Sequence, residues 1–154
     1  MTREEKLMAM GYPLPEVAKP LAAYVPALQV GSWVYTSGQL PTRQGELLWH
    51  GKLGRDVTVA EGQKAARQAV LNALAAVKSV AGSLEHVERI VKVVGFVASH
   101  EGFTQQPQVV NGASELLQEV FGEAGQHARS AVGVAELPLG APVEIELVVA
   151  LKEA

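Results

Sequence analysis

Apolar residues recur along this chain in two rhythms. Ala66, Val70, Leu74 and Val77 fall at i, i+4, i+8 and i+11, one stripe of an α-helix. Thr58 and Glu61, spaced as a capping box, start that helix, and Gly82 after Ala81 stops it. Gly62 weakens its first turn slightly. Val109, Ala113, Leu116 and Val120 form a second helical stripe, with Pro107 suited to the first turn and Gly122 following Phe121. Elsewhere the rhythm is two. Val143, Ile145, Leu147, Val149 and Leu151 alternate with other residues over 143–152, and ARSAVGV (128–134) reads as another strand. RIVKVVGFVAS (89–99) is apolar on both alternating faces, the mark of a strand covered on both sides.

The rest is punctuation. ALQV (27–30) and WVYTS (33–37) flank Gly31-Ser32, a two-residue loop whose leading glycine suits a type II′ hairpin turn. Gln39 to Val57 reads as a loop with a short strand at Leu47–Trp49. ELPLGAP (136–142) enforces a turn between the last two strands. Thr2 and Glu5 form another capping box, which predicts a short helix ending near Gly11 in an otherwise irregular, proline-bearing extension over 1–20. The order β-β-α-β-α-β-β gives an α+β fold, one layer of sheet with two helices on one face, within a single domain spanning 1–154. No third helix is left to cover the other face of the two-sided strand, so a second copy of the chain is expected there.

Strand parity then places charge. With Val143, Ile145 and Leu147 toward the helices, Glu144 and Glu146 face away. With Val132 and Val134 also toward the helices, Arg129 faces away too, on the same side as Glu144. Such an arginine is either paired with a glutamate across an interface or holds an anion, and parity leaves both open.

Composition removes whole classes of function. None of the 154 residues is cysteine, which excludes disulfides, thiolate metal sites and a cysteine nucleophile. Of the 16 acidic residues only Asp56 is aspartate, which excludes paired-aspartate chemistry. His50, His86, His100 and His127 have no ligand spacing, so no metal is expected, and His127 reads as a polar residue at a loop edge. No glycine-rich phosphate loop and no nucleophile elbow is present. A net charge of −3 with scattered lysine and arginine argues against nucleic acid as a partner. Only 19% of residues are charged, which again points to surface covered by another subunit. The apolar run 93–98 falls far short of the roughly 20 residues of a membrane span, and MTREEKLMAMGY lacks a signal-peptide core, so a cytoplasmic protein with no membrane contact is expected.

Two stretches carry a resemblance. GSWVYTSGQLP (31–41) resembles the opening hairpin of the Rid family, the reactive intermediate deaminases, also called YjgF-like or L-PSP endoribonuclease proteins. HARSAVGVAELPLGAPVEIELVVAL (127–151) is similar to that family's closing signature of R-S, V-x-x-L-P and V-E-I-E. The similarity runs from about Tyr24 to Leu151. It implies a chorismate-mutase-like homotrimer with pockets between subunits. It also implies cofactor-free hydrolysis of reactive imines and enamines of the 2-iminobutanoate and 2-iminopropanoate type to 2-oxoacids and ammonia.

By the same resemblance Arg129 grips the substrate carboxylate and Glu144 holds the hydrolytic water. Tyr24, Ser37, Gly38, Gln39, Asn111 and Ala131 bind substrate, Ala131 through its backbone N–H where relatives often carry cysteine. Departures are Ala22-Ala23 in place of Gly-Pro, one extra residue between Asn111 and Arg129, the extended N-terminus, and a longer 42–57 loop bearing Trp49 and His50. These mark a divergent branch; Trp49 reads as loop packing and His50 as a solvated side chain. The alternatives are a non-catalytic trimer that binds small carboxylates and an endoribonuclease.

Overall fold

The computed structural model describes residues 1–20 and 22–153. Its elements follow in chain order: α1 (Arg3–Ala9), β1 (Ala27–Val30), β2 (Trp33–Thr36), β3 (Thr42–Arg43), β4 (Glu46–Leu47), α2 (Val59–Ala81), β5 (Val87–Ala98), α3 (Gln106–Phe121), β6 (Ala128–Val134) and β7 (Val143–Leu151). Both capping boxes form. The Thr58 hydroxyl accepts from the Glu61 N–H at 3.1 Å, and the Thr2 hydroxyl from Glu5 at the same distance. Gly31 takes φ 58°, as the first central residue of a type II′ turn must.

The 39–57 region differs from expectation. Instead of one strand at 47–49, β3 and β4 pair as a miniature hairpin, and Leu48 and Trp49 lie outside it. Gln44 (φ 52°) and Gly45 (φ 81°) make its turn. Two-residue strands carry no periodicity, and glutamine at positive φ is not a turn signal a sequence advertises. Trp49 packs against the core and His50 is exposed.

The main sheet runs β1-β2-β7-β5-β6, antiparallel throughout except for the parallel pair β5–β6. Two crossovers build it, β2 through α2 to β5 and β5 through α3 to β6. Both helices lie on one face, α2 over β1, β2 and β7 and α3 over β5 and β6. The stripes Ala66/Val70/Leu74/Val77 and Val109/Ala113/Leu116/Val120 are buried against Val34, Val93, Val97, Val143, Ile145, Leu147 and Val149. α1 adds no cover to the opposite face. It packs on α3, where Arg3 donates to the carbonyls of Leu84 and Val87 and lies over the Phe121 ring.

That opposite face is apolar. Leu28, Val30, Trp33, Tyr35 and Val132 are all exposed on it, Trp33 at 45% and Tyr35 at 49%, and Val94 and Phe96 are part-exposed beside them. This extends to β1, β2 and β6 the two-sidedness expected for β5.

The two helices meet at Gly112. A Cβ there would collide with the Gln63 backbone, which no rotamer change can relieve. Gly112→Ala is therefore expected to destabilise by about 2 kcal/mol even after its gain in helix propensity. The corresponding drop in Tm is roughly 6 °C by calorimetry; an unchanged Tm refutes that close crossing.

Candidate active site

β6 is an edge strand, in register with β5 as Val93↔Arg129, Val94↔Ser130, Gly95↔Ala131, Phe96↔Val132 and Val97↔Gly133. Paired residues share a face. Val93 and Val97 are buried under the helices, so Arg129, Ala131 and Gly133 face α3 while Val132 faces the helix-free side. Glu144 and Glu146 pair with Phe96 and Val94 and lie on that helix-free side. The expectation that Arg129 and Glu144 share a face is therefore corrected. The reason is packing: the helix side of β6 is filled by Ala131 against the core and by the Gln106 side chain over Gly133. A Cβ on Gly133 would press on the Gln106 side chain. The valines turn outward, toward a face that is itself apolar.

Arg129 lies half-buried against α3. Its Nη1 donates to Asn111 Oδ1 at 2.7 Å and to Ser114 Oγ at 3.2 Å, and its Nη2 makes a long contact to the Pro107 carbonyl at 3.4 Å. Both Nη1 hydrogens are thereby used. The Nε–H has no partner among the described residues, and the two Nη2 hydrogens share only the long Pro107 contact.

Behind Ser114 stands His127, whose Nε2 lies 2.8 Å from the Ser114 hydroxyl and whose Nδ1 lies 2.6 Å from the Gly125 carbonyl. A carbonyl accepts only, so Nδ1 carries the proton and the Ser114 hydroxyl donates to Nε2. His127 stands at the loop edge before β6, as expected, and is also tied into the site. Ser114 escaped the sequence reading altogether. The available signal was its spacing: Pro107, Asn111 and Ser114 fall on one face of α3.

Burial holds the His127 imidazole below its ordinary pKa of 6.5, and the nearby Arg129 charge acts in the same direction against the Gly125 hydrogen bond. The folded protein thus favours neutral His127, whereas the unfolded chain takes up a proton near pH 6.5. This contribution to stability is complete above that pH and is lost as pH falls through the lower folded value. His127→Gln cannot titrate. Its Tm relative to the parent is expected to rise progressively below about pH 6.5; a pH-independent difference refutes the assignment.

The remaining candidates gather elsewhere. Gly38 abuts the Glu144 carboxylate so closely that a Cβ at 38 would overlap it. Burial, and secondly the charge of Glu146, push the Glu144 carboxyl above the ordinary glutamate value. Gln39 is buried and locked to Ile145 by reciprocal backbone hydrogen bonds of 2.8 and 3.0 Å. The Ser37 hydroxyl donates to the Val25 carbonyl at 2.6 Å. Tyr24, Gly38 and Gln39 line a cleft of about 1140 Å³, walled by residues 11–20 and by Arg43, Gln68 and Asn72. Gln68 and Asn72 are buried and donate to the Thr42 carbonyl, which fastens the β3 segment to α2.

One chain thus holds two half-sites on opposite sheet faces. One is Arg129 with Asn111 and Ala131; the other is Glu144 against Gly38, with the Tyr24–Gln39 cleft beside it on the α2 side of Gly38. Among the described residues no cluster of histidine, aspartate and glutamate could hold a metal ion, and no helix is long and apolar enough to cross a membrane.

Known proteins with the same architecture say which family this is. The family model described as "YjgF/chorismate mutase-like, putative endoribonuclease" matches residues 4–151. Protein TCP17 of Trypanosoma cruzi is 44% identical over 146 residues, which are 94% of this chain and 91% of that one. The 2-iminobutanoate/2-iminopropanoate deaminase of Dermatophagoides farinae is 34% identical over 140 residues, 90% and 93% of the two chains. A solved structure from Shewanella oneidensis, described as a "putative endoribonuclease", superposes with a TM-score of 0.94 at 42% identity, covering 98% of this chain and all of that one. The chain belongs to the YjgF/chorismate mutase-like family.

Proposed function

We propose that this protein is a cofactor-free deaminase that hydrolyses small 2-imino acids and their enamine tautomers to 2-oxoacids and ammonia. The observation that carries the reading is the guanidinium of Arg129. Protein acceptors hold its Nη1 end, while the Nε–Nη2 edge carries only the long Nη2 contact to the Pro107 carbonyl. That edge is a fork matched to a carboxylate, and two parallel N–H···O bonds fix a small acid in orientation as well as position. The 34% identical relative named as a 2-iminobutanoate/2-iminopropanoate deaminase supports the same choice.

The chemistry needs little more. The imine carbon is already electrophilic. A water oxygen bonds to it while Glu144 takes one water proton and passes it to nitrogen; the carbinolamine hydroxyl then gives up its proton, by way of Glu144, to nitrogen as C=O forms, the C–N bond breaks and ammonia leaves. Tyr24, Ser37, Gly38, Gln39, the Asn111 side chain and the Ala131 N–H shape the pocket. A carboxyl whose pKa burial has raised above the ordinary glutamate value suits both halves of that proton transfer.

The two half-sites join only if chains associate. The exposed apolar face bearing Trp33, Tyr35 and Val132 is the surface for it, and we propose a homotrimer whose pockets draw Arg129 from one subunit and the Glu144–Gly38 wall from the next. Sedimentation should give three times the chain mass of 16.3 kDa; a monomer at all concentrations refutes this.

The test of function is ammonia release from freshly generated 2-iminobutanoate, with Arg129→Ala as control. Wild-type release no faster than hydrolysis in buffer refutes deamination. Arg129-dependent binding of 2-oxobutanoate without turnover would instead identify a carboxylate-binding trimer.

A further inference from the structure

We propose that Ser114 and His127 are positioning residues that orient the Arg129 guanidinium for its carboxylate through a directed hydrogen-bond chain. This rests on the carboxylate reading of Arg129. The chain begins at the Gly125 carbonyl, which accepts from His127 Nδ1–H at 2.6 Å. His127 Nε2 accepts from the Ser114 hydroxyl at 2.8 Å. The Ser114 oxygen, its own proton committed to the histidine, presents its lone pairs to Arg129 Nη1 at 3.2 Å.

Every donor and acceptor is fixed by its neighbour, from a main-chain carbonyl to the guanidinium. Asn111 Oδ1 holds the other Nη1 hydrogen, so two acceptors one helical turn apart set both the plane and the rotation of the fork. Without Ser114, Nη1 keeps Asn111 alone and only the long Nη2 contact to Pro107 opposes rotation about that bond. Ser114 is itself buried, so its hydroxyl has no water to turn to if the imidazole is lost. An orienting contact of this kind acts through the arginine and on binding, because it sets the direction of the fork that grips the acid.

The experiment combines three readouts. In wild type, nitrogen NMR should show His127 as the Nδ1–H tautomer and the Arg129 Nη resonances as separate, slowly rotating signals. Ser114→Ala and His127→Leu should merge the Nη resonances, whereas His127→Gln, whose side-chain oxygen can accept from Ser114, should keep them apart.

Titration with 2-oxobutanoate should give a Kd raised roughly tenfold in Ser114→Ala and His127→Leu, with near-parent affinity in His127→Gln. Turnover of 2-iminobutanoate should show the same rise in KM with kcat little changed. In an Arg129→Ala background, Ser114→Ala should add nothing, since a residue acting through the arginine has no effect without it.

An Nε2–H tautomer in wild type, or Nη signals indifferent to Ser114→Ala, overturns the proposal whatever the ligand does. So does unchanged oxoacid affinity in Ser114→Ala when Arg129→Ala abolishes binding. An intact NMR pattern with oxoacid affinity indifferent to Arg129→Ala upholds the hydrogen-bond chain and overturns the carboxylate reading instead.

Discussion

Arg129→Lys should lose nearly as much kcat/KM for 2-iminobutanoate as Arg129→Ala, roughly 10–100-fold, with Tm shifted by only a few degrees. Charge is not what the site needs most. The guanidinium divides its donors: Nη1 is spent on Asn111 and Ser114, and the Nε–Nη2 edge carries only the long Pro107 contact. A lysine ammonium has three donors around one nitrogen. Satisfying Asn111 and Ser114 leaves a single N–H for the substrate, at a point the shorter head does not reach, and the parallel pair of bonds is gone. The stability cost is small because Asn111 and the rim of β6 are solvent-accessible, so water can replace the lost donor at the amide. Near-normal kcat/KM in the lysine variant refutes the bidentate clamp. Collapse of both variants in a thermal scan would show that Arg129 is there to hold the fold.

The fold was legible because its long elements are strongly periodic. The two helical stripes, the glycine stops at 82 and 122 and the alternation of β7 all describe residues that find one buried face, and the structure buries them. What the residues alone misplaced was the orientation of β6. The usual rule sends the larger apolar side chains of a strand toward the helices. Here that rule picks Val132 and Val134, and it fails because the space under α3 is taken by Ala131 against the core and by the Gln106 side chain over Gly133. Arg129 is tolerated on the same face because it lies toward the start of β6 and its head emerges beside Asn111. When both faces of a sheet are apolar, side-chain size no longer reports which face is which, and close helix approach decides. His127 and Ser114 were hidden for a different reason. Their role arises from a contact across 13 positions between a helix and the end of a loop, and nothing local announces it.

Glu144→Gln should lower kcat roughly a hundredfold with little change in KM, and Glu146→Gln should not. The two carboxylates lie on the same face of β7, opposite Phe96 and Val94, so position along the strand is what separates them. Glu144 stands against Gly38, at the wall where Gln39 is pinned to Ile145, and its carboxyl is pushed up mainly by burial. Glu146 lies one pleat further on, about 7 Å along the strand, too far to share a water held at the same carbon. Its negative charge nevertheless reaches its neighbour and is the second cause of the raised Glu144 value. The sign follows. Removing that charge makes Glu144 easier to ionise, and a general base works only when ionised. Glu146→Gln should therefore leave the plateau of kcat intact and move its acid limb to lower pH, together with some loss of subunit association. Glu144→Gln should lower kcat at every pH. Measured side by side from pH 5 to 8, the pair discriminates cleanly. Turnover lost only in Glu146→Gln would assign the water to the other carboxylate, and an acid limb moving to higher pH in Glu146→Gln would show that the two groups are not coupled as their placement on β7 requires.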